Sequence, residues 1–280
     1  MKWNTKIGVG SVQFGLPYGI SNTTGQTTPK EVTKILDFAF ANGIRIIDTA
    51  SAYGTSEAVI GQLHNNRFAL VSKFMPPQKS EHISELLDKS LGLLQTEYLY
   101  GYLAHRPLDL LEGPKVWTDL QSIKETGKIK KIGFSLNTPE EFYQLDKAGF
   151  KPDLVQVPFN YFDTRFTEIL RQLKSEGCEI HTRSTFLQGL FFTDVEKLSP
   201  FFDPLKPKLQ YLHKQYGDKL QGALLQYVMQ QPFVDVVIVG IETAEQLETN
   251  VNNIVDAQNL EPIDIYFSEE LLMPMHWPKN

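Results

Sequence analysis

The chain has 280 residues, of which 41% are hydrophobic and 21% charged, and its formal net charge is −6. This composition is typical of a soluble globular protein, and the acidic balance excludes the basic face of a nucleic-acid-binding protein. No apolar stretch approaches the roughly 20 residues of a membrane-spanning helix. The single cysteine, Cys178, excludes an internal disulfide and a cysteine-based metal site. We therefore expect a cytoplasmic enzyme, a monomer or weak oligomer, without nucleic-acid or membrane partners.

Hydrophobic periodicity predicts strands and helices in alternation. Residues 6–19 are predicted to form a short strand that breaks into a Gly-rich loop. A helix follows, with Thr28 as N-cap, Pro29 at its first position and Glu31 placed for a capping box, and Gly43 ends it. Further strands are predicted at residues 44–48, 68–73, 98–105, 132–134, 154–157, 179–182 and 234–239, and helices at 56–64, 80–94, 114–126, 139–148, 165–175, 209–216, 219–230 and 244–255.

Eight such strand–helix units in about 250 residues predict a closed (β/α)8 TIM barrel. We expect residues 1–280 to form this one domain. The alternative is a doubly wound open sheet, which typically begins with a Gly-x-Gly-x-x-Gly loop that opens a helix. The first Gly-rich loop of this chain has a different spacing and does not lead directly into a predicted helix, so the barrel is favoured.

Four side chains with acid–base chemistry fall at neighbouring strand ends. Asp48 ends the second strand, Tyr53 lies on the loop after it, and Lys73 and His105 end the third and fourth strands. Each alone has an ordinary structural explanation, but active sites of TIM barrels lie at the C-terminal ends of the strands, where all four converge. The histidines show no metal-ligand spacing, so no metal is expected.

The four residues suit proton transfer to a carbonyl oxygen. Tyrosine, with a pKa near 10, is a poor acid at neutral pH, and a lysine ammonium beside it favours the phenolate. Asp48 would keep Lys73 charged and oriented, and His105 would contact the oxygen that Tyr53 protonates. Such a site can protonate a carbonyl oxygen as hydride arrives at its carbon, or run the reverse.

The sequence resembles the aldo-keto reductases over nearly its whole length. The matching stretches, in order, are Asp-Thr-Ala-Ser-Ala-Tyr-Gly (48–54), Val-Ser-Lys (71–73), Leu-Ala-His-Arg-Pro (103–107), Ile-Gly-Phe-Ser (132–135), Val-Gln-Val-Pro-Phe-Asn (155–160), Val-Ile-Val-Gly (237–240) and Gln-Leu-Glu-Thr-Asn (246–250). The resemblance implies a nicotinamide-dependent carbonyl reductase. It assigns Tyr53 as general acid, Lys73 and Asp48 as the pair that tunes it, and His105 as the substrate-orienting partner.

The resemblance also implies a cofactor site along the strand ends. Ser135 and Gln156 match positions that hold the nicotinamide carboxamide, and Gln246 and Asn250 match positions on the adenine side. The remaining residues expected at the cofactor are Ser11, Arg183, Ser184, Gly240 and Glu242. Substrate is expected to contact Gln13, Tyr18 and Arg106.

Two departures from the family pattern concern the nicotinamide end. Leu136 stands where many members have an asparagine that also grips the carboxamide, and Asn137 is one place further on. Arg183 stands where the family usually stacks a tyrosine on the nicotinamide. A guanidinium plane can also stack on an aromatic ring, although Arg183 could point to substrate or solvent instead.

Two further departures concern the cofactor's other end and the C-terminus. The loop at residues 240–247 has no Lys or Arg to meet a 2′-phosphate, and Glu242 and Glu245 are acidic, a pattern that suits a free ribose hydroxyl. We therefore expect NADP(H) to be slightly favoured, with NAD(H) as the alternative. The aromatic tail at residues 273–278 either folds over the mouth of the site or packs elsewhere.

These residues predict reduction of an aldehyde or ketone to an alcohol. The mouth is polar, which favours a polar small-molecule carbonyl such as a keto-sugar. Two alternatives remain open. One is a cofactor-binding regulatory subunit with little turnover, and the other is a barrel lyase or isomerase that uses Lys73 as a Schiff-base amine.

Overall fold

A computed structural model describes residues 6–19, 22, 25–78, 81–263 and 265–278. Its eight strands are all parallel and follow one another in sequence order, and the last pairs with the first to close a barrel. This confirms the predicted TIM barrel and excludes the open doubly wound sheet. The strands are β1 (Ile7–Gly10), β2 (Ile46–Asp48), β3 (Ala69–Phe74), β4 (Leu99–Ala104), β5 (Ile129–Ser135), β6 (Leu154–Pro158), β7 (Glu179–Arg183) and β8 (Val236–Gly240).

Helices surround the barrel at the places where the sequence predicts them, with a few additions. Short α-helices follow β1 and β4, where the sequence predicted only loops, and another lies in the C-terminal tail. The helices are α1 (Val12–Gly15), α2 (Pro29–Ala41), α3 (Ser56–Leu63), α4 (Ile83–Leu94), α5 (Asp109–Glu112), α6 (Lys115–Glu125), α7 (Pro139–Lys147), α8 (Thr167–Ser175), α9 (Lys206–Tyr216), α10 (Leu220–Met229), α11 (Ala244–Val255) and α12 (Glu269–Leu272). None of the helices in the described ranges is long and apolar enough to cross a membrane.

The capping box predicted for α2 is only half formed. The Thr28 side chain accepts a hydrogen bond from the Glu31 N–H, as expected. The Glu31 carboxylate instead accepts from the N–H of Ala244 at 2.9 Å. It thereby satisfies a free N–H at the start of α11 and ties the helix after β8 to the helix after β1.

The barrel interior explains how the chain places polar groups at one end. An apolar cluster from four strands fills part of the barrel and includes Ile46, Val71, Leu103 and Leu154. Alternate residues of a strand face the same side. The positions two residues further along these four strands therefore continue the same inward-facing rows, and they hold Asp48, Lys73, His105 and Gln156.

A polar cluster occupies the other end of the barrel. The Glu179 carboxylate bonds His181 Nε2 at 2.6 Å, accepts from the Tyr100 hydroxyl at 2.6 Å and pairs with Lys131. Because the N-terminal end of a TIM barrel serves stability rather than chemistry, we assign this cluster a structural role.

Candidate active site

A cleft of about 960 Å³ opens at the C-terminal ends of the strands. Every site residue predicted from the sequence lines it except Lys73, which lies beneath its floor. The predicted residues on its wall are Ser11, Gln13, Tyr18, Asp48, Tyr53, His105, Arg106, Ser135, Gln156, Arg183, Ser184, Gly240, Glu242, Gln246 and Asn250. The volume is at the upper end of the range for small-molecule and cofactor sites.

Lys73 and Asp48 form a buried ion pair under the cleft. The ammonium Nζ lies 2.6 Å from Asp48 Oδ2 and donates to the Thr49 carbonyl at 2.9 Å. The two side chains are 1% and 5% exposed. Gln156 Nε2 donates to the other carboxylate oxygen, Oδ1, at 2.7 Å. The pair is therefore completed by hydrogen bonds, which a buried ion pair requires.

Gln156 has a structural partner as well as its predicted ligand. It pairs in register with Ser135 across β5 and β6, so the two residues lie side by side at the strand ends. The bond from Gln156 to Asp48 also links that position to the ion pair. No sequence pattern indicates this connection, since the two residues are 108 positions apart.

The loop carrying Tyr53 is fixed by contact between two glycines. A Cβ at Gly15 would lie 1.8 Å from the Tyr53 carbonyl oxygen, and a Cβ at Gly54, whose φ is +56°, would lie 2.5 Å from the Gly15 carbonyl oxygen. Only glycine permits so close an approach of the two backbones. The Tyr53 side chain is thereby held over the ion pair, with Lys73 Nζ 5.1 Å from the centre of its ring.

His105 lies beside Tyr53 on the cleft wall. The two rings meet edge to face with their centres 5.7 Å apart. Burial lowers the pKa of His105 to about 4, with a further lowering from the Lys73 charge that outweighs the opposing effect of Asp48. The imidazole is therefore neutral at pH 7. Its Nδ1 is buried without a hydrogen-bond partner.

Ser11 braces the strand ends. Its hydroxyl donates to the Asp48 carbonyl at 2.8 Å and lies 2.8 Å from the Ser56 hydroxyl, which in turn bonds Thr49. These side chains are fully buried. Ser11 thus supports the backbone that presents Asp48, in addition to lining the cleft where a cofactor contact was predicted.

Arg183 is held by three uncharged acceptors. Its Nη2 donates to the Leu136 carbonyl at 3.1 Å and to Asn137 Oδ1 at 2.6 Å, and its Nη1 donates to Ser184 Oγ at 3.3 Å. Asn137, one place past the usual family asparagine, therefore has its amide oxygen occupied by Arg183. The residues at which the chain departs from the family pattern are thus hydrogen-bonded to each other, and they join the ends of β5 and β7.

The far end of the cleft lies between β8 and α11. The Glu242 N–H donates to Gln246 Oε1 at 2.8 Å, and Gln221 donates to Asn250 Oδ1 at 2.6 Å. Burial raises the pKa of the Glu242 carboxyl, and the bond to Gln246 opposes that shift. None of the described residues that line this end of the cleft is Lys or Arg. Glu245 is exposed and does not line the cleft.

The mouth is narrowed by segments that sequence reasoning did not identify. Gln188, in the connection after β7, donates to the Tyr18 hydroxyl at 2.8 Å. Ser184 and Gln188 have φ of +64° and +52°, which folds this connection back over the cleft. The tail contributes Pro274 and Met275 to the wall. The only signal for Gln188 was its place before a glycine in the longest strand–helix connection.

Two sets of contacts hold segments that line the mouth, one in the C-terminal tail and one after β4. The Trp277 indole donates to the Leu271 carbonyl at 3.0 Å and is buried against Phe202, so the tail packs on the barrel and reaches the mouth. Arg106 also lines the cleft, and its Nε is 3.1 Å from Asp109 Oδ2.

Comparison with known proteins identifies the family. The sequence model of the Aldo/keto reductase family matches residues 6–265. The chain belongs to this family. It is 26% identical to an L-galactose dehydrogenase of Arabidopsis thaliana, over 92% of this chain and 88% of the relative. It is 25% identical to an NADPH-dependent alpha-keto amide reductase of Saccharomyces cerevisiae, over 81% and 73%. An aldo-keto reductase of Bacillus halodurans has the same fold, with a TM-score of 0.70, 20% identity and coverage of 91% and 88%.

Aldo-keto reductases are oxidoreductases that act on carbonyl compounds with nicotinamide cofactors. The cleft of this chain fits such a cofactor. It runs from Asp48, Tyr53 and His105 past the ends of β5, β6 and β7 to the start of α11. Buried Gln13 Oε1, which has no partner, faces it near Gly240, and a Cβ at Gly240 would lie 3.2 Å from the Gln13 amide nitrogen. A side chain at position 240 would therefore narrow the cleft beside Gln13.

Proposed function

We propose that this aldo-keto reductase reduces an aldehyde or ketone to an alcohol with NAD(P)H, using Tyr53 as general acid. One observation supports this most strongly. A phenol and a neutral imidazole share the cleft wall, with their ring centres 5.7 Å apart, above a buried lysine–aspartate pair. The arrangement suits delivery of one proton to an oxygen atom held between Tyr53 and His105.

Each residue has a distinct part in this mechanism. The Lys73 ammonium, held by Asp48, stabilises the Tyr53 phenolate that remains after the proton leaves. His105, neutral at pH 7, donates a hydrogen bond to the carbonyl oxygen and orients it. A reduced nicotinamide supplies the hydride when bound, and Ser135 and Gln156 would hold its carboxamide. Gln246 and Asn250 would hold the adenine side, with Ser184 between the two ends.

The cofactor proposal keeps NADP(H) slightly ahead of NAD(H). The yeast relative is NADPH-dependent by name, whereas Glu242 at the cleft would accept a hydrogen bond from a ribose hydroxyl and repel a phosphate. The side-chain NH2 group of Gln246 is an uncharged donor that can contact either sugar.

The lyase alternative conflicts with the position of Lys73. A Schiff base requires a free amine that a substrate carbonyl can reach. The Lys73 amine is 1% exposed and engaged by Asp48 and Thr49. Substrate reaching the cleft meets Tyr53 and His105 first.

A cofactor titration followed by a carbonyl screen tests the proposed function. Binding of NADPH and NADH would be followed by fluorescence, and oxidation of each would be measured with a panel of aldehydes, ketones and keto-sugars. We expect submillimolar binding and turnover of at least one polar carbonyl, about the usual range for enzymes. Tight cofactor binding without turnover of any panel member would instead support the regulatory-subunit alternative.

A further inference from the structure

The charge of Arg183 has no acidic partner. No carboxylate of the described residues forms an ion pair with it, whereas Arg106, Arg165 and Arg171 each pair with an Asp or Glu. Its three hydrogen bonds go to a carbonyl, an amide and a hydroxyl oxygen. A half-buried cation without an anion is costly unless a ligand supplies one.

The guanidinium also keeps unused donors. An arginine has five N–H groups in a fixed plane, and the bonds to Leu136, Asn137 and Ser184 use three of them. Stacking on an aromatic ring would use the face of the plane and leave the remaining N–H groups unpaired. A carboxylate satisfies both the charge and the donors.

Among the described residues, the rest of the cleft supplies no competing anion near Arg183. Asp48 is neutralised by Lys73 and hydrogen-bonded by Gln156. Glu242 lies at the far end, bonded to Gln246. Burial raises the pKa of Tyr18, and the Arg183 charge opposes that shift, as it also contributes to the low pKa of His105. The charge of Arg183 therefore acts on His105, which lies beside Tyr53.

We propose that the substrate of this enzyme is a carbonyl compound that carries a carboxylate, which Arg183 binds while Tyr53 and His105 hold the carbonyl oxygen. This inference rests on the proposed reductase function. Asn137 and the Leu136 carbonyl orient the guanidinium, so they position it without contacting the substrate.

Two aldehydes that differ in one charge test the proposal. 4-Carboxybenzaldehyde is the anionic probe and methyl 4-formylbenzoate the neutral one, and kcat/KM is measured for both with saturating NADPH. We expect the wild type to favour the acid by about tenfold or more, the effect of one charge-assisted hydrogen bond. In Arg183→Gln the ratio of acid to ester should fall to about one, through a higher KM for the acid.

The ratio cancels any loss common to both probes, including weaker cofactor binding. Arg171→Gln is the matched control, because Arg171 is an exposed arginine on α8 paired with Glu168, and it should keep the wild-type ratio. If Arg183→Gln does not fold, Arg183→Lys replaces it, since it retains the charge but not the fork, and its ratio should be intermediate.

The outcomes separate this inference from the proposed function. Turnover of both probes with no preference for the acid, or an equal preference in wild type and variant, overturns the carboxylate site and leaves the reductase function standing. If neither probe is reduced, the dissociation constant of 4-carboxybenzaldehyde by calorimetry decides. A dissociation constant about tenfold higher in the variant supports the carboxylate site, and an unchanged dissociation constant overturns it.

Discussion

Lys73 is closed off from the cleft, yet its ammonium lies 5.1 Å from the centre of the Tyr53 ring. The ion pair with Asp48 fixes that position, because the carboxylate is itself held by Gln156. The charge therefore acts on the phenol through space, without competing for the substrate. At the scale of single residues, we propose that Tyr53 transfers the proton while its neighbours set how readily it does so.

Tyr53→Phe removes the proton donor and keeps the ring. We expect kcat to fall by a factor of about 10² to 10⁴, the usual contribution of general acid catalysis, while cofactor affinity by fluorescence titration stays within a few fold. Tyr143→Phe, which changes an exposed tyrosine on α7, serves as the control and should retain full activity. Near-normal turnover of the Tyr53 variant would remove Tyr53 from the proposed role.

His105 should make stability depend on pH. Its folded pKa of about 4 lies below the ordinary value of 6.5, so the unfolded chain binds a proton that the folded protein excludes. The contribution of His105 to the free energy of unfolding is complete above pH 6.5. It is lost as the pH falls through 4, by up to about 3 kcal/mol.

Urea unfolding at pH 7.0 and at about pH 4.5 measures this loss. Comparing wild type with His105→Asn isolates the histidine from the carboxyls that also titrate in that range. The variant should lose less stability than the wild type on acidification. An equal loss in both proteins would mean that His105 is protonated as readily in the folded state as in the unfolded one.

At the scale of elements, helix α1 packs directly against the loop that carries Tyr53. The short helix after β1 has no room for a side chain at Gly15, because the Tyr53 carbonyl oxygen occupies that space. Beneath them, the hydroxyl of Ser11, which follows β1, lies 2.8 Å from the hydroxyl of Ser56 at the start of α3. The position of the Tyr53 side chain thus depends on backbone packing between α1 and the loop after β2.

Gly15→Ala should displace the Tyr53 loop. Overpacking of this kind typically costs about 1–3 kcal/mol, and a shift of the catalytic group should lower kcat more than tenfold, since misplacement by about 1 Å can cost 10²-fold. Thermal unfolding and steady-state kinetics measure the two effects.

Gly92→Ala is the matched control. Gly92 lies in α4 with nothing within 4 Å of an added Cβ, so alanine should stabilise the protein slightly and leave activity unchanged. Equal effects of the two substitutions would show that the contact between Gly15 and the Tyr53 loop does not position the catalytic residue.

At the scale of the whole molecule, the barrel brings residues from the ends of all eight strands and from α11 into one cleft. The alternation of eight strands with helices made the barrel predictable. It also made the convergence of Asp48, Lys73 and His105 predictable, because parallel strands end at the same rim, and Tyr53 lies on the loop directly after Asp48. The bond between Gln156 and Asp48, the Arg183–Asn137 unit and the Gln188–Tyr18 bridge were not predictable. They join residues far apart in sequence, through side-chain directions that no periodic pattern specifies.

The far end of the cleft, between β8 and α11, should influence the choice between NADPH and NADH. Glu242→Arg replaces a cleft-lining acid by a cation and should raise the preference for NADPH over NADH by about tenfold, as expected for a new phosphate contact. The ratio of dissociation constants measures it. Glu245→Arg makes the same change in charge outside the cleft and should have a smaller effect. Equal shifts in both variants would place the 2′-phosphate away from Glu242.

Isotope transfer tests the central claim of carbonyl reduction most directly. The enzyme would be given NADPH deuterated twice at C4 of the nicotinamide, with the panel carbonyl it reduces fastest, and the alcohol analysed by mass spectrometry. The wild type should place one deuterium on the former carbonyl carbon, and Tyr53→Phe should form this alcohol at least a hundredfold more slowly. An alcohol without deuterium, or no alcohol from any carbonyl despite tight NADPH binding, would contradict hydride transfer at this site.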